Sequence, residues 1–203
     1  MSANSEALKR YYRFHAAIYD LTRWSFLFGR SALIEQLQKM RLQPRRILEI
    51  GCGTGRNLAA LARAFPKAEI VGIDVSEDML DHARRSCGFA EDRVLLECAP
   101  YGPQSRLGKF DIIVASYALS MMGEGVAPVL DTARRDLRSG GVFAVVDFRD
   151  SRFGFFRRWM ALNHVRLDDG LLPEIQQRFG DTAVATRQAY GGLWSWFSLV
   201  ANS

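Results

Sequence analysis

The sequence is poor in the residues that build disulfide frameworks and metal sites. Its three cysteines, Cys52, Cys87 and Cys98, are an odd number without paired spacing. That argues against a disulfide scaffold and a cysteine-rich zinc site, and the expected compartment is a reducing cytosol. The three histidines, His15, His82 and His164, share no ligand spacing, so no metal is expected. No apolar run approaches the ~18 residues that a membrane span needs. Residues Met1 to Arg10 are too polar and mixed in charge for a secretory leader. Neither sign of charge dominates: a formal charge of +5 permits attraction to an anionic surface without requiring it. No internal repeat or low-complexity segment is visible.

What is present is enough apolar material for one compact core, 48% of 203 residues. The chain is organised around Ile47-Leu48-Glu49-Ile50-Gly51-Cys52-Gly53-Thr54-Gly55-Arg56-Asn57. A short apolar run stops at glycines on alternate positions, and a helical pattern follows at once. This reads as strand, tight turn, helix, the opening of an open parallel α/β sheet. Glycine turns sharply and lets a ligand lie against bare backbone. The new helix N-terminus presents free N–H groups beside it.

A second apolar run ends at Asp74, 23 residues after Gly51. An acid at a strand tip at about that distance is placed to accept hydrogen bonds from ribose hydroxyls. Gly55 falls one place early for the dinucleotide fingerprint, and Arg56 stands where its last glycine belongs. Glu49 beside the turn suits a cationic ligand better than a pyrophosphate.

Further along, repeated strand-then-helix units predict an α/β fold. Strands are expected over 46–50, 69–73, 93–97, 111–115 and 142–147. Helices are expected over 57–65, 76–87, 126–137, 150–166 and 171–179, with Ser76 as a cap and a turn at Ser139-Gly140-Gly141. A helical lid spans residues 1–43, broken at Gly29 and capped again by Ser31. The cofactor-binding core is 44–149, a helical crossover 150–182, and a closing hairpin 183–203, with Trp194 and Trp196 in its core face. The run Arg152 to Trp159 interleaves arginines with aromatics, the make-up of an interfacial anchor or of a crossover helix with a buried aromatic face.

The pattern E-x-G-x-G-x-G, with Asp74 after it, resembles the first motifs of the class I S-adenosylmethionine-dependent methyltransferases. The resemblance implies a Rossmann-like, mostly parallel seven-stranded sheet with a C-terminal antiparallel hairpin. It implies S-adenosylmethionine as cofactor and S-adenosylhomocysteine as product. Gly51, Gly53 and Gly55 would form the loop around the methionine part, and Asp74 would hold the ribose. Glu49, Val75, Met79 and Ser116 are further cofactor contacts. Cys98 and Ala99 stand where the adenine edge is met, although many relatives carry an acid at the place of Cys98.

The residues Tyr19-Asp20, Gly29-Arg30, Ser116-Tyr117-Ala118-Leu119-Ser120-Met121 and Val145-Val146-Asp147-Phe148 resemble a narrower branch, the bacterial betaine-lipid N-methyltransferases, which methylate diacylglyceryl-homoserine. The phosphatidylethanolamine N-methyltransferases are a looser likeness. The branch implies an amine acceptor on a lipid head group, with contact to an anionic inner-membrane surface through Arg152–Trp159. Tyr19 and Arg30 would reach the cofactor, and Arg30 pairs either with its carboxylate or with that of the head group. An amine must lose a proton to attack, and Ser116, Tyr117 and Tyr19 are the candidates to receive it. Tyr117, Tyr12 and Trp24 offer aromatic faces to a methylated ammonium.

Two other readings stand beside this one. One is a small-molecule N- or O-methyltransferase, and the other a non-catalytic nucleoside-binding module. A nucleic-acid methyltransferase is disfavoured. Where amino-group enzymes of that kind carry an Asn/Asp-Pro-Pro-aromatic turn, this chain has Ser116-Tyr117-Ala118-Leu119, and its basic charge is modest.

Overall fold

The computed structural model describes residues 27–163, 165–180 and 182–203. Its centre is a sheet of strands β1 (Arg46–Ile50), β2 (Glu69–Asp74), β3 (Val94–Cys98), β4 (Phe110–Ser116), β5 (Leu137–Phe148), β6 (Val184–Ala189) and β7 (Trp194–Asn202). They lie in the order β3-β2-β1-β4-β5-β7-β6. The first five are parallel, while β7 runs antiparallel between β5 and β6. The chain builds outward from β1 to β3 and then returns to place β4 on the other side of β1. This reversal opens a crevice at the carboxyl ends of β1 and β4, the place where such sheets take ligands.

Helices α1 (Arg30–Lys39), α2 (Arg56–Ala64), α3 (Glu77–Cys87), α4 (Val126–Asp136), α5 (Gly154–Leu162) and α6 (Leu171–Phe179) cover both faces. The alternation of strand side chains divides the core in two. Ile47, Ile70, Ile112, Val142 and Ala144 pack with Leu33 and Leu37 of α1 and Leu58 and Leu61 of α2. Leu48, Val71, Ile113, Phe143 and Val145 pack with Val129 and Leu130 of α4 and Ile175 of α6. Phe143 and Phe179 stack at 4.4 Å between ring centres, a contact worth ~0.5–1.5 kcal/mol beyond its buried area.

Local chemistry sets the boundaries. Ser76 caps α3 by accepting the Met79 N–H, with Glu77 and Asp78 in the first turn and Arg84 and Arg85 in the last, as the helix dipole favours. Ser31 is not the cap of α1. That place belongs to Gly29 in a left-handed conformation, with φ 82°. A side chain at Gly29 would meet the Trp196 ring at 2.3 Å, so only glycine lets this segment cross the hairpin so closely.

Three other boundaries depart from expectation. Strand β5 starts at Leu137 and continues through Ser139–Gly141, absorbing the glycines in a register irregularity opposite Phe110–Ile112. Strand β3 runs one residue later than expected. Helix α5 is shorter than 150–166, because Ser151 donates to the Leu193 carbonyl and accepts from Phe153 N–H, fixing the approach to the helix as a turn. The hairpin forms as expected, with Trp194 and Trp196 buried. Among the described residues, no helix is long and apolar enough to cross a membrane, and no group of three or more His, Cys, Asp or Glu is placed to hold a metal ion.

Candidate functional site

The turn after β1 is held by backbone hydrogen bonds and by its own glycines. Gly51 N–H and Cys52 N–H both donate to the Ile73 carbonyl, at 2.9 and 3.1 Å. Gly51, Gly53 and Gly55 all have positive φ. A Cβ at Gly51 would stand 2.7 Å from that of Ala118, and one at Gly55 2.8 Å from the Ala83 backbone. Those two glycines are therefore packing glycines. Gly53 has nothing within 4 Å of its missing Cβ, so it offers open backbone to the crevice.

A cavity of about 480 Å³ lies over this turn. Of the residues expected to bind a cofactor, Arg30, Glu49, Gly51, Gly53, Asp74, Val75, Met79 and Ala99 line it, while Gly55 lies just behind the wall as the N-cap of α2. Leu27, Thr54, Arg56, Asn57, Tyr101, Ala118, Met121 and Met122 also line it and were not anticipated.

Glu49 is the electrostatic centre. It is only 2% exposed, and its Oε2 has no hydrogen-bond partner among the described residues. Loss of hydration pushes its carboxyl up to about 8, against the pull of the Arg30 charge and the Asn57 side chain. A buried carboxyl oxygen without a partner is costly unless something completes it. A ligand ammonium would supply the missing donor.

Asp74, at the tip of β2, accepts Gly53 N–H at 2.8 Å through Oδ2 and Ser76 N–H at 3.0 Å through Oδ1. Each oxygen keeps a lone pair for a hydroxyl. Beside it Val75 is 72% exposed, an apolar surface at a strand tip that a flat ring would cover. Covering a valine fully is worth ~1.5 kcal/mol or more. A buried acid with one unbonded oxygen, open backbone, a second acid with spare lone pairs and an apolar ledge together fit an amino-acid-bearing nucleoside such as S-adenosylmethionine.

The other expected residues lie elsewhere. Cys98, on the exposed edge of β3, is outside the wall: its Sγ turns to the Val75 carbonyl at 3.9 Å and to Glu77 at the start of α3, and Ala99 takes the place facing the cavity. Ser116 is buried, and its Oγ accepts from Arg30 Nε at 2.8 Å, so it orients the arginine and does not line the cavity.

Tyr117 has φ 55°, an uncommon conformation for a side-chain-bearing residue. That twist turns its ring inward against Phe148, and its hydroxyl donates to the Phe28 carbonyl at 2.8 Å. Burial raises the phenol above its usual range, so its proton is held. Neither Ser116 nor Tyr117 is placed to take a proton from an acceptor in the cavity. Tyr12, His15, Tyr19, Trp24 and His164 lie outside the described residues.

Sequence reasoning missed Asp147 as a site residue. It is fully buried at the end of β5, and its Oδ2 accepts from Leu119 N–H at 3.0 Å and Ser120 N–H at 3.2 Å, while Oδ1 accepts from Phe148 N–H at 2.8 Å. Burial raises its carboxyl to about 6 against these donors. It pins the loop that carries Ala118, Met121 and Met122 into the wall. Its only visible signal is an acid closing the otherwise apolar run from Val142.

Comparison with known proteins agrees with this geometry. Residues 48–143 match a protein-family model described as a methyltransferase domain. Over 119 residues, 59% of the chain and 42% of the relative, the sequence is 34% identical to the malonyl-[acyl-carrier protein] O-methyltransferase of Legionella pneumophila. Over 52% of the chain and 39% of the relative it is 36% identical to the trans-aconitate 2-methyltransferase of Afipia carboxidovorans. The chain thus spans about four-tenths of the length of these relatives. In fold it is similar to the N-methyltransferase NodS from Bradyrhizobium japonicum in complex with S-adenosyl-L-homocysteine, with a TM-score of 0.72 and 18% identity over 86% of each chain.

Proposed function

We propose that this chain is a class I S-adenosylmethionine-dependent methyltransferase that passes the methyl group to a small-molecule acceptor entering across the loop Ala118–Met122. The observation that carries the cofactor half is the buried, incomplete carboxylate of Glu49 facing the glycine turn. Glu49 receives the methionine ammonium, Gly53 lies along the methionine chain, and Asp74 takes the ribose hydroxyls. Arg30, steadied by Ser116, meets a carboxylate. When bound, S-adenosylmethionine supplies an electrophilic methyl on a sulfonium. The protein aligns the acceptor on that axis, an effect that reaches ~7–11 kcal/mol in well-oriented systems, and Met121 and Met122 exclude water from it.

The acceptor is best read as an ionised acid, methylated on oxygen. Ser116 and Tyr117 are committed to other partners, and a carboxylate needs no proton removed before it attacks. Arg56 in the wall would draw such an anion in. The relatives named for malonyl and trans-aconitate substrates support this class. The narrower expectation, an amine on a betaine-lipid head group, draws no support from those names.

The test is incubation with methyl-labelled cofactor and a panel of small carboxylic acids, their thioesters and lipid amines. Label released as methanol by mild alkali is expected from the acids. Alkali-stable label in the lipid fraction would overturn the acid reading in favour of the amine.

A further inference from the structure

Helix α5 has two apolar sides, and the fold uses one. Phe156 and Met160 are buried in the core. On the other side Phe155, Arg158, Trp159 and Leu162 follow one another at the spacing that puts them on a single helix face. Phe155 is 69% exposed, Trp159 49% and Leu162 81%. Phe153, at the start of the helix, is also exposed.

The charge around this face has one sign. From Ser151 to Leu167 the chain contains Arg152, Arg157, Arg158 and Arg166 and no acid. Arg157 pairs with Asp150, and Arg166 with Asp168 and Glu174. Among the described residues no ion pair engages Arg152 or Arg158. The chain leaving α5 also returns to the cavity wall: Arg166 N–H donates to the Ser120 carbonyl at 2.8 Å, one residue from Met121.

We propose that this face of α5 rests on an anionic phospholipid bilayer. Phe155, Trp159 and Leu162 enter the boundary between head groups and acyl chains, while Arg152 and Arg158 meet lipid phosphates. Large apolar side chains projecting in a ridge with arginines beside them suit a soft, negatively charged surface. Attraction by arginine near such a surface weakens as salt rises. The proposal does not depend on which acceptor is methylated.

Flotation of the full chain with vesicles tests it. Phosphatidylcholine vesicles containing phosphatidylglycerol are expected to retain the protein at low salt and release it at high salt, whereas phosphatidylcholine alone retains little. Phe155→Ser with Leu162→Ser, and separately Arg152→Glu with Arg158→Glu, are each expected to lower the partition about tenfold or more. Both variants should keep wild-type affinity for S-adenosylhomocysteine, which shows that the fold is intact. No retention on anionic vesicles, or equal retention of wild type and variants, overturns the proposal. Binding of an acidic carrier protein in place of the vesicles also overturns it. Failure of wild type to bind S-adenosylhomocysteine instead sinks the proposed function, and flotation still decides this one.

Discussion

The two walls of the cavity are built in different ways. The wall proposed to hold the cofactor gathers its residues mainly from two short stretches, Glu49–Asn57 and Asp74–Met79, and its critical polar atoms are close to one another in sequence; the opposite wall is the proposed acceptor wall. The acceptor wall is assembled at a distance. Its loop Ala118–Met122 is held by Asp147 from the end of β5, by Arg166 beyond α5, and by the buried Tyr117 reaching Phe28. A local site is fixed by turn chemistry, while a distributed one is fixed by packing across the whole chain. Substitutions in the first should change cofactor affinity, and substitutions in the second should change turnover.

The sharpest contrast concerns Glu49. Its carboxyl sits at about 8 in the fold against an ordinary 4.5, so the folded state favours the protonated form. The stabilising preference is complete below 4.5 and is lost as pH rises through 8. Wild-type protein without ligand should therefore lose stability over that window, on the order of 5 kcal/mol in total. Glu49→Gln should remove this loss in thermal melts across pH, while weakening the cofactor.

Asp74→Ala comes next. It removes the brace on Gly53 together with the proposed ribose acceptor. The dissociation constant for S-adenosylhomocysteine should rise about 100-fold by calorimetry, ~2–3 kcal/mol. Unchanged affinity would show that the acid does not hold the ribose.

Asp147→Asn probes the opposite wall. It replaces a carboxylate that holds three backbone N–H groups, so kcat/KM for the acceptor should fall about tenfold, ~1–2 kcal/mol. Affinity for S-adenosylhomocysteine should move by less than about threefold if the two walls are independent. Equal losses in both would break the comparison.

The smallest effect belongs to Tyr117→Phe. It removes the hydrogen bond to Phe28 and should cost ~1 kcal/mol of stability. The pH profile of kcat should keep its shape, because the phenol is no proton acceptor.

The same division explains what could be read before the structure. The glycine turn, Glu49, Asp74, the Ser76 cap and the buried hairpin tryptophans were legible because each depends on neighbours close in sequence or on simple alternation. Cys98, Ser116 and Tyr117 were placed at the correct strand tips, yet their side chains do other work. At Tyr117 a left-handed backbone turns the ring inward, and no periodicity announces that. The role of Asp147 rests on donors 27 and 28 residues away in the chain. The true start of β5 was hidden by Gly140 and Gly141, which read as a turn although the strand continues through them.

The central claim is that Glu49 and Asp74 flank an amino-acid nucleoside over open glycine backbone. A crystal structure with S-adenosylhomocysteine tests it most directly. The account predicts the ligand ammonium within hydrogen-bonding distance of Glu49 and the ribose hydroxyls on Asp74, with the base against Val75. A nucleoside bound elsewhere, or Glu49 Oε2 still without a partner in the filled site, would contradict it.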